Sequence, residues 1–123
     1  MRLKNKVWDI IVNLLLSSVI VPKKIRVYCY RILGMRINTF SISPQCHFKT
    51  NKIRIGVGTY LNYRCFFDNK ADVEIGDHCA IGMNTLFTTA NHEFGPPEKR
   101  AGNVIANKIS VGNGCWIGAG AII

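Results

Sequence analysis

Large apolar residues recur every six positions through most of the chain after residue 36. The series starts at Ile55, restarts at Ile75 after a two-residue slip, and resumes at Val111 after a stretch without the repeat. The ten anchors are Ile55, Leu61, Phe67, Val73, Ile75, Ile81, Phe87, Val111, Ile117 and Ile123. The residue after an anchor is small or polar. This period predicts a parallel β-helix, in which each six residues form a short strand and a turn.

The fourth residue after an anchor is small, and four of the five cysteines occupy this slot or its equivalent one repeat earlier. They are Cys46, Cys65, Cys79 and Cys115. We interpret them as small, mildly apolar side chains packed inside the solenoid. An odd number of cysteines argues against a closed disulfide framework and indicates a reducing compartment.

Residues 1–36 follow helical spacing instead. The apolar face predicted for this segment consists of Val7, Ile10, Ile11, Leu14, Leu15 and Ser18, followed after Pro22 by Ile25, Tyr28, Cys29 and Ile32. Arg26, Arg31 and Arg36 are placed on the surface, and Gly34 is predicted to cap the second helix. The segment is interpreted as a helical cap on the open end of the β-helix.

The basic residues concentrate in this leader. Eight of the 16 bases but only one of the seven acids, Asp9, lie in residues 1–36, so eight bases and six acids leave +2 for the other 87 residues. Residues 1–36 therefore form a basic leader, and the rest of the chain is nearly neutral. This distribution differs from that of a nucleic-acid-binding protein that is basic throughout. No apolar run reaches the roughly 18 to 20 residues of a spanning helix. A second role for the leader, compatible with capping, is peripheral contact with an anionic membrane.

The sequences IGVGTY (55–60), IGDHCAIG (75–82) and VGNGCWIGAGA (111–121) resemble the hexapeptide-repeat acyltransferases. The segment TTANH (88–92), followed by a loop and then Trp116, is similar to the branch of sugar and surface-polysaccharide O-acetyltransferases. The resemblance covers residues 37–123. It implies a left-handed β-helix of triangular cross-section, with three hexapeptides in each coil, that assembles as a homotrimer.

The resemblance also implies transfer of acetyl from acetyl-CoA to a hydroxyl of a sugar or polysaccharide precursor. Such transfer needs a base for the hydroxyl proton, donors for the developing oxyanion and a slot for the coenzyme. His92 stands at the start of the loop 91–108, where the repeat breaks, and matches the family's catalytic histidine. Imidazole changes its protonation near neutral pH, which suits a base. The alternative is a surface loop histidine.

Other positions match the family's binding residues. Asn62 and Asp68 correspond to side chains that contact the acceptor, although both are also ordinary turn residues. Glu93 is a candidate for substrate binding and for orienting the ring of His92, or it only solvates the loop.

The resemblance also implies that the coenzyme binds near Trp116, Gly118 and Gly120, with packing of Trp116 against the loop 91–108 as the alternative. His47 and His78 are assigned to an entry coil and a turn. No pair of histidines has metal-ligand spacing, so no metal is expected.

The chain stops in mid-coil at Ile123, whereas family members continue for further coils. We therefore expect either a fragment of a longer acetyltransferase or a truncated chain. In the second case the alternative function is a catalytically inactive remnant or subunit-association module. The expected location is the cytoplasm, with the leader at the inner face of the membrane.

Overall fold

The computed structural model describes residues 3–123, so Arg2, one of the eight bases of the leader, lies outside the described residues. Helix α1 (Leu3–Trp8) continues directly into a π-helix (Asp9–Leu16), and helix α2 (Lys23–Ile32) follows Pro22. Gly34 follows α2 with a φ of 95°, a left-handed conformation that glycine adopts at low cost, and its N–H donates to the carbonyl of Arg31 at 3.0 Å.

Twelve short strands follow the helices. They are β1 (Arg36–Ile37), β2 (His47–Phe48), β3 (Ile53–Ile55), β4 (Tyr60–Leu61), β5 (Phe66–Asp68), β6 (Val73–Ile75), β7 (Ala80–Ile81), β8 (Leu86–Thr88), β9 (Ala90–Phe94), β10 (Ala101–Ala106), β11 (Ile109–Val111) and β12 (Trp116–Ile117). Three parallel sheets have the orders β1-β3-β6-β11, β4-β7-β12 and β2-β5-β8. They form the three faces of a left-handed parallel β-helix, which confirms the predicted fold class.

The predicted anchors stack in columns inside the helix, with at least one column on each face and two on the face that contains Val73 and Ile75. The registers place Ile55 over Ile75, Leu61 over Ile81, and Phe67 over Phe87. In the third column the rings of Phe48, Phe67 and Phe87 lie nearly parallel, with successive centroids 5.0 and 4.8 Å apart. These side chains are buried, and each coil covers the apolar surface of the coil before it. Cys46, Cys65 and Cys79 are buried as predicted, and all five cysteines are free thiols.

The two-residue slip in the repeat has a local cause. Val73 and Ile75 belong to the same strand, β6, and both are buried. The corner before this strand is wide, and the buried amide of Asn69 fills it. Its Oδ1 accepts from the N–H of Thr50 at 3.0 Å, while its Nδ2 donates to the carbonyls of Thr50 and Lys52, both at 3.1 Å. The slip is therefore a longer corner and not an interruption of the stacking.

The apolar residues predicted for both leader helices do not face the β-helix, as packing of this face on the open end would require. Every apolar residue assigned to the first helical face is at least 38% exposed, and Ile25, Tyr28 and Ile32 of the second face are 54, 54 and 84% exposed. The helices pack on the β-helix through a different set: Trp8, Val12, Leu16, Val27 and Tyr30. The first helix turns this side outward because Trp8 and Asn13, on the opposite side, form hydrogen bonds with the backbone of Phe48.

Arg26 is buried, contrary to its predicted place on the surface, and only 1% of it is exposed. Its Nε donates to the carbonyl of Leu16 at 2.7 Å, and its Nη1 donates to that of Ile42 at 2.9 Å. Its Nη2 donates to the carbonyls of Ser18 and Val21 at 2.7 and 3.0 Å. The guanidinium thus joins the end of the first helix, the loop after it and the first coil of the β-helix. None of the helices within residues 3–123 is long and apolar enough to cross a membrane.

Replacing Gly82 with alanine is expected to destabilise the β-helix by about 1 to 3 kcal/mol, because the added methyl group overpacks a rigid contact. An added Cβ at Gly82 would lie 2.8 Å from the carbonyl carbon of Gly118 in the next coil. Gly118 is the matched control, since it occupies the same position one coil later and an added Cβ there meets nothing within 4 Å. Chemical denaturation should show a lowered midpoint for Gly82→Ala alone. Equal midpoints for the two variants would contradict the stacking.

Candidate active site

The segment 91–108 is an ordered hairpin that projects from one corner of the β-helix, and not an irregular loop. Strands β9 and β10 pair antiparallel with each other, with His92 opposite Val104. The base is closed by a hydrogen bond from the N–H of Asn107 to the carbonyl of Thr89 at 2.9 Å. The hexapeptide period is lost here because these two strands pair with each other and do not stack on a neighbouring coil.

His92 lies on β9 with its side chain exposed and its ring fixed by the partner strand. Its Nδ1 lies 2.9 Å from the carbonyl oxygen of Gly102. A carbonyl oxygen can only accept a hydrogen bond, so Nδ1 carries the proton in this arrangement. The lone pair is then on Nε2, where it is available to accept a proton from a bound hydroxyl.

Asp68 lies near the start of this hairpin. It pairs with Thr88 in the register of β5 and β8, and Thr88 is four residues before His92. The hydroxyl of Thr88 lies 3.2 Å from Oδ2 of Asp68 and also 3.2 Å from the carbonyl oxygen of Ala90, and Nζ of Lys49 lies 3.2 Å from Oδ1 of Asp68. Both carboxylate oxygens are therefore oriented, and an ionised carboxylate still has free lone pairs for a further donor.

Lys49 and Thr88 were not among the residues predicted from the sequence. A signal for them exists, because each directly follows an anchor of the phenylalanine column, as Asp68 does. Lys49 follows Phe48 and Thr88 follows Phe87, so stacking brings the three polar side chains together at one corner.

Asn62 is not brought to the hairpin within this chain. It lies at the corner between β4 and β5, whereas Asp68 ends β5 at the opposite side of that face. Its Oδ1 accepts from the N–H of Tyr63 at 2.8 Å, which is the local geometry of a turn residue. Glu93 is exposed next to His92 on β9. Neighbours on a strand project to opposite sides, and the carbonyl of Gly102 holds the imidazole, so Glu93 does not orient the ring.

The last coil carries the expected coenzyme positions. Trp116 on β12 is 85% exposed, so its indole does not pack against the hairpin. The N–H of Gly120 donates to the carbonyl of Met83 at 2.9 Å and is not free to contact a thioester. The N–H of Gly82, which occupies the position of Gly118 one coil earlier, donates to the carbonyl of Ile117 at 2.8 Å, so the same direction points the N–H of Gly118 away from β7.

The other two histidines have different surroundings. The ring of His47 stacks on that of Phe66 with centroids 4.3 Å apart. Burial lowers the pKa of His47, opposed by the nearby carboxylates of Asp9 and Asp68. His78 is an exposed turn residue with a φ of 55°. Among residues 3–123, no three His, Cys, Asp or Glu side chains come together in a way that could hold a metal ion.

Several curated proteins are similar in sequence to this chain. Nodulation protein L of Rhizobium leguminosarum bv. viciae is 44% identical over 71 residues, which are 58% of this chain and 37% of that protein. The galactoside O-acetyltransferase of Lactococcus lactis subsp. lactis is 27% identical over 77 residues, 63% of this chain and 37% of that enzyme. The sophorolipid acetyltransferase of Starmerella bombicola is 41% identical over 66 residues, 53% of this chain and 25% of that enzyme. The matches thus span between a quarter and 37% of the length of these relatives.

A solved structure shares the fold. The crystal structure of a hexapeptide-repeat containing acetyltransferase from Vibrio cholerae superposes with a TM-score of 0.81 at 24% sequence identity. The superposition covers 97% of this chain and 68% of the other. No protein-family model matches the chain.

Proposed function

We propose that this chain is a member of the hexapeptide-repeat acyltransferase family and that it serves acetyl transfer from acetyl-CoA to a hydroxyl of a sugar or polysaccharide precursor. The observation that carries the proposal is the hydrogen bond between Nδ1 of His92 and the carbonyl of Gly102. It leaves Nε2 as a base on an exposed hairpin. The names of the relatives support the reaction class, since one is a galactoside O-acetyltransferase and another is a sophorolipid acetyltransferase.

In the proposed reaction Nε2 of His92 accepts the proton of the acceptor hydroxyl as its oxygen attacks the thioester carbonyl carbon. The carbon–sulfur bond then breaks and the acetyl group remains on the acceptor as an ester. The imidazolium returns its proton to the departing thiolate, so the products are the ester and free coenzyme A. No covalent intermediate with the protein is needed when both substrates are bound together.

Asp68 is proposed to accept a hydrogen bond from another hydroxyl of the acceptor. Lys49 and Thr88 hold its two oxygens in place, so the carboxylate is preorganised for this role. Asn62 and Glu93 remain proposed acceptor contacts. Asn62 lies at another corner of this chain, and we include a homotrimer in the proposal, in which a neighbouring chain could supply it.

The proposed coenzyme site is the last coil, with the indole of Trp116 and the backbone of Gly118. A rigid, exposed indole offers a large amphipathic surface to the coenzyme. Gly120 is left out of the site because its N–H is already bonded to Met83. The five free thiols support a cytoplasmic, reducing environment.

Replacing Trp116 with alanine is expected to weaken coenzyme A binding by about tenfold or more, the usual effect of losing a central aromatic contact. Isothermal titration of coenzyme A into the purified chain measures this. Tyr63→Ala is the matched control, since it removes a half-exposed aromatic ring from a different corner.

We expect the unaltered chain and Tyr63→Ala to bind coenzyme A saturably and with the same affinity. Trp116→Ala should bind it more weakly. No saturable binding at any coenzyme concentration would instead favour a β-helix that only associates with other subunits. Equal affinities in all three proteins would remove Trp116 from the site.

A further inference from the structure

The leader helices expose an unusually large apolar surface. Eleven large apolar side chains in residues 3–32 are at least 38% exposed: Leu3, Val7, Ile10, Ile11, Leu14, Leu15, Val19, Ile20, Ile25, Tyr28 and Ile32. We define the apolar face as the six of these residues that lie on α1 and the π-helix, from Leu3 to Leu15. Leu3, Val7, Ile11 and Leu15 follow one another at steps of four, so the face is one continuous stripe along the helix.

The opposite side of the same helix is fixed to the β-helix. Nε1 of Trp8 donates to the carbonyl of Phe48 at 2.8 Å, and Val12 is fully buried. Nδ2 of Asn13 donates to the same carbonyl at 3.0 Å, while its Oδ1 accepts from the N–H of Phe48 at 2.9 Å. Rotating the helix to bury the apolar face would break these contacts. The apolar face is therefore a permanent outer surface of the folded chain.

The charges around the apolar face are positive. Lys4 and Lys6 are exposed on the same helix, and Lys4 and Lys49 line a cavity of about 450 Å³ together with Val7 and Ile11. The one acid of the leader, Asp9, is turned away from the face. Its Oδ1 accepts from Nδ2 of Asn13 at 3.0 Å, and its charge acts on His47 of the β-helix. An apolar stripe bordered by lysines and without a carboxylate complements an anionic, amphipathic surface.

We propose that the apolar face docks the protein on the surface of an anionic phospholipid bilayer. The helix lies in the plane of the interface, with its apolar side chains among the upper acyl chains and the ammonium groups of Lys4 and Lys6 at the lipid phosphates. The lysine stems can extend along the apolar surface to reach the headgroups. Association is peripheral and does not depend on the proposed acetyl transfer.

The test is sedimentation of the purified chain with vesicles of phosphatidylcholine, with and without phosphatidylglycerol. The unaltered chain should pellet with the anionic vesicles, pellet much less with neutral ones, and be released by high salt because exposed charges are screened. Equal pelleting with both vesicles, or none with either, would overturn the proposal without any variant.

Two double variants locate the contact. Lys4→Gln with Lys6→Gln should lower partitioning onto anionic vesicles on the order of tenfold, and Ile10→Ser with Leu14→Ser by a similar factor. The matched controls are Lys70→Gln with Lys99→Gln for exposed charge, and Val57→Ser with Met83→Ser for exposed apolar surface. Both controls should bind as the unaltered chain does, and a loss in the controls equal to that in the leader variants would overturn the proposal.

Light scattering tests whether the apolar face binds a lipid surface or a second copy of the chain. The apolar variant should keep the molar mass of the unaltered chain in solution while losing vesicle binding. A lower molar mass for Ile10→Ser with Leu14→Ser, together with unchanged vesicle binding, would assign the face to a subunit contact and contradict the proposal. Circular dichroism establishes that each variant is folded before either measurement.

Discussion

Replacing His92 with alanine is expected to lower kcat for acetyl transfer by about 10² to 10⁴-fold, the usual contribution of a positioned general base. The imidazole projects from an exposed strand, and its described ring contact is with the carbonyl of Gly102, so its removal should leave the fold unchanged. Release of coenzyme A in the presence of an acceptor measures the rate. Thermal unfolding of the variant should coincide with that of the unaltered chain.

The matched control for His92 is His78→Asn. His78 is an exposed histidine with a φ of 55°, a conformation that asparagine also tolerates, so the replacement removes an imidazole without straining the turn. It should retain the full transfer rate. If His92→Ala is folded and as active as His78→Asn, then His92 is a surface residue of the hairpin without a role in catalysis.

Replacing Arg26 with methionine is expected to lower the free energy of unfolding by about 3 to 5 kcal/mol. Methionine fills a similar volume but donates no hydrogen bonds. The carbonyls of Leu16, Ser18, Val21 and Ile42 would then lose the hydrogen bonds that the guanidinium donates, and within the described part of the chain only that of Ser18 keeps a second donor, the N–H of Val21 at 3.2 Å. Lysine is not an adequate substitute, because one ammonium cannot copy the planar fork that reaches all four carbonyls.

Arg36→Met is the matched control for Arg26, since Arg36 is exposed on β1. Chemical denaturation followed by circular dichroism should show a large loss for Arg26→Met and almost none for Arg36→Met. Similar losses in the two variants would mean that the buried guanidinium does not hold the leader to the β-helix.

The β-helix could be predicted because every coil is packed in the same way. Each coil buries at least one apolar side chain per face, and the buried columns appear in the sequence as Ile, Leu, Val or Phe at a regular step. The columns are also insensitive to small changes in corner length. The wide corner at Asn69 shifts the count by two residues while Phe67 still stacks on Phe87.

The leader was harder to predict for two physical reasons. Helical periodicity assumes that the apolar side is the buried one, but here the more apolar stripe faces outward and a mixed set led by Trp8 and Val12 packs inward. A charged side chain is ordinarily exposed, but Arg26 is buried because it donates to the carbonyl of Leu16 at the end of the first helix and to that of Ser18 in the loop after it.

The candidate site was partly accessible from the sequence. His92 stands out because the hexapeptide period stops there, which marks a projecting segment. What fixes its tautomer is the carbonyl of Gly102, ten residues away on a strand that only the hairpin brings close. The partners of Asp68 were missed because Lys49 and Thr88 come from the coils on either side of it.

The central claim is that this β-helix supports acetyl transfer to a sugar hydroxyl. The most direct measurement incubates the purified chain with acetyl-CoA and a panel of galactosides and polysaccharide precursors, and detects the acetyl ester by mass spectrometry alongside coenzyme A release. We expect one acetyl ester to form for each coenzyme A released, and ester formation to be lost in His92→Ala. Coenzyme A release without an ester on any hydroxyl acceptor, or ester formation undiminished in a folded His92→Ala variant, would contradict it.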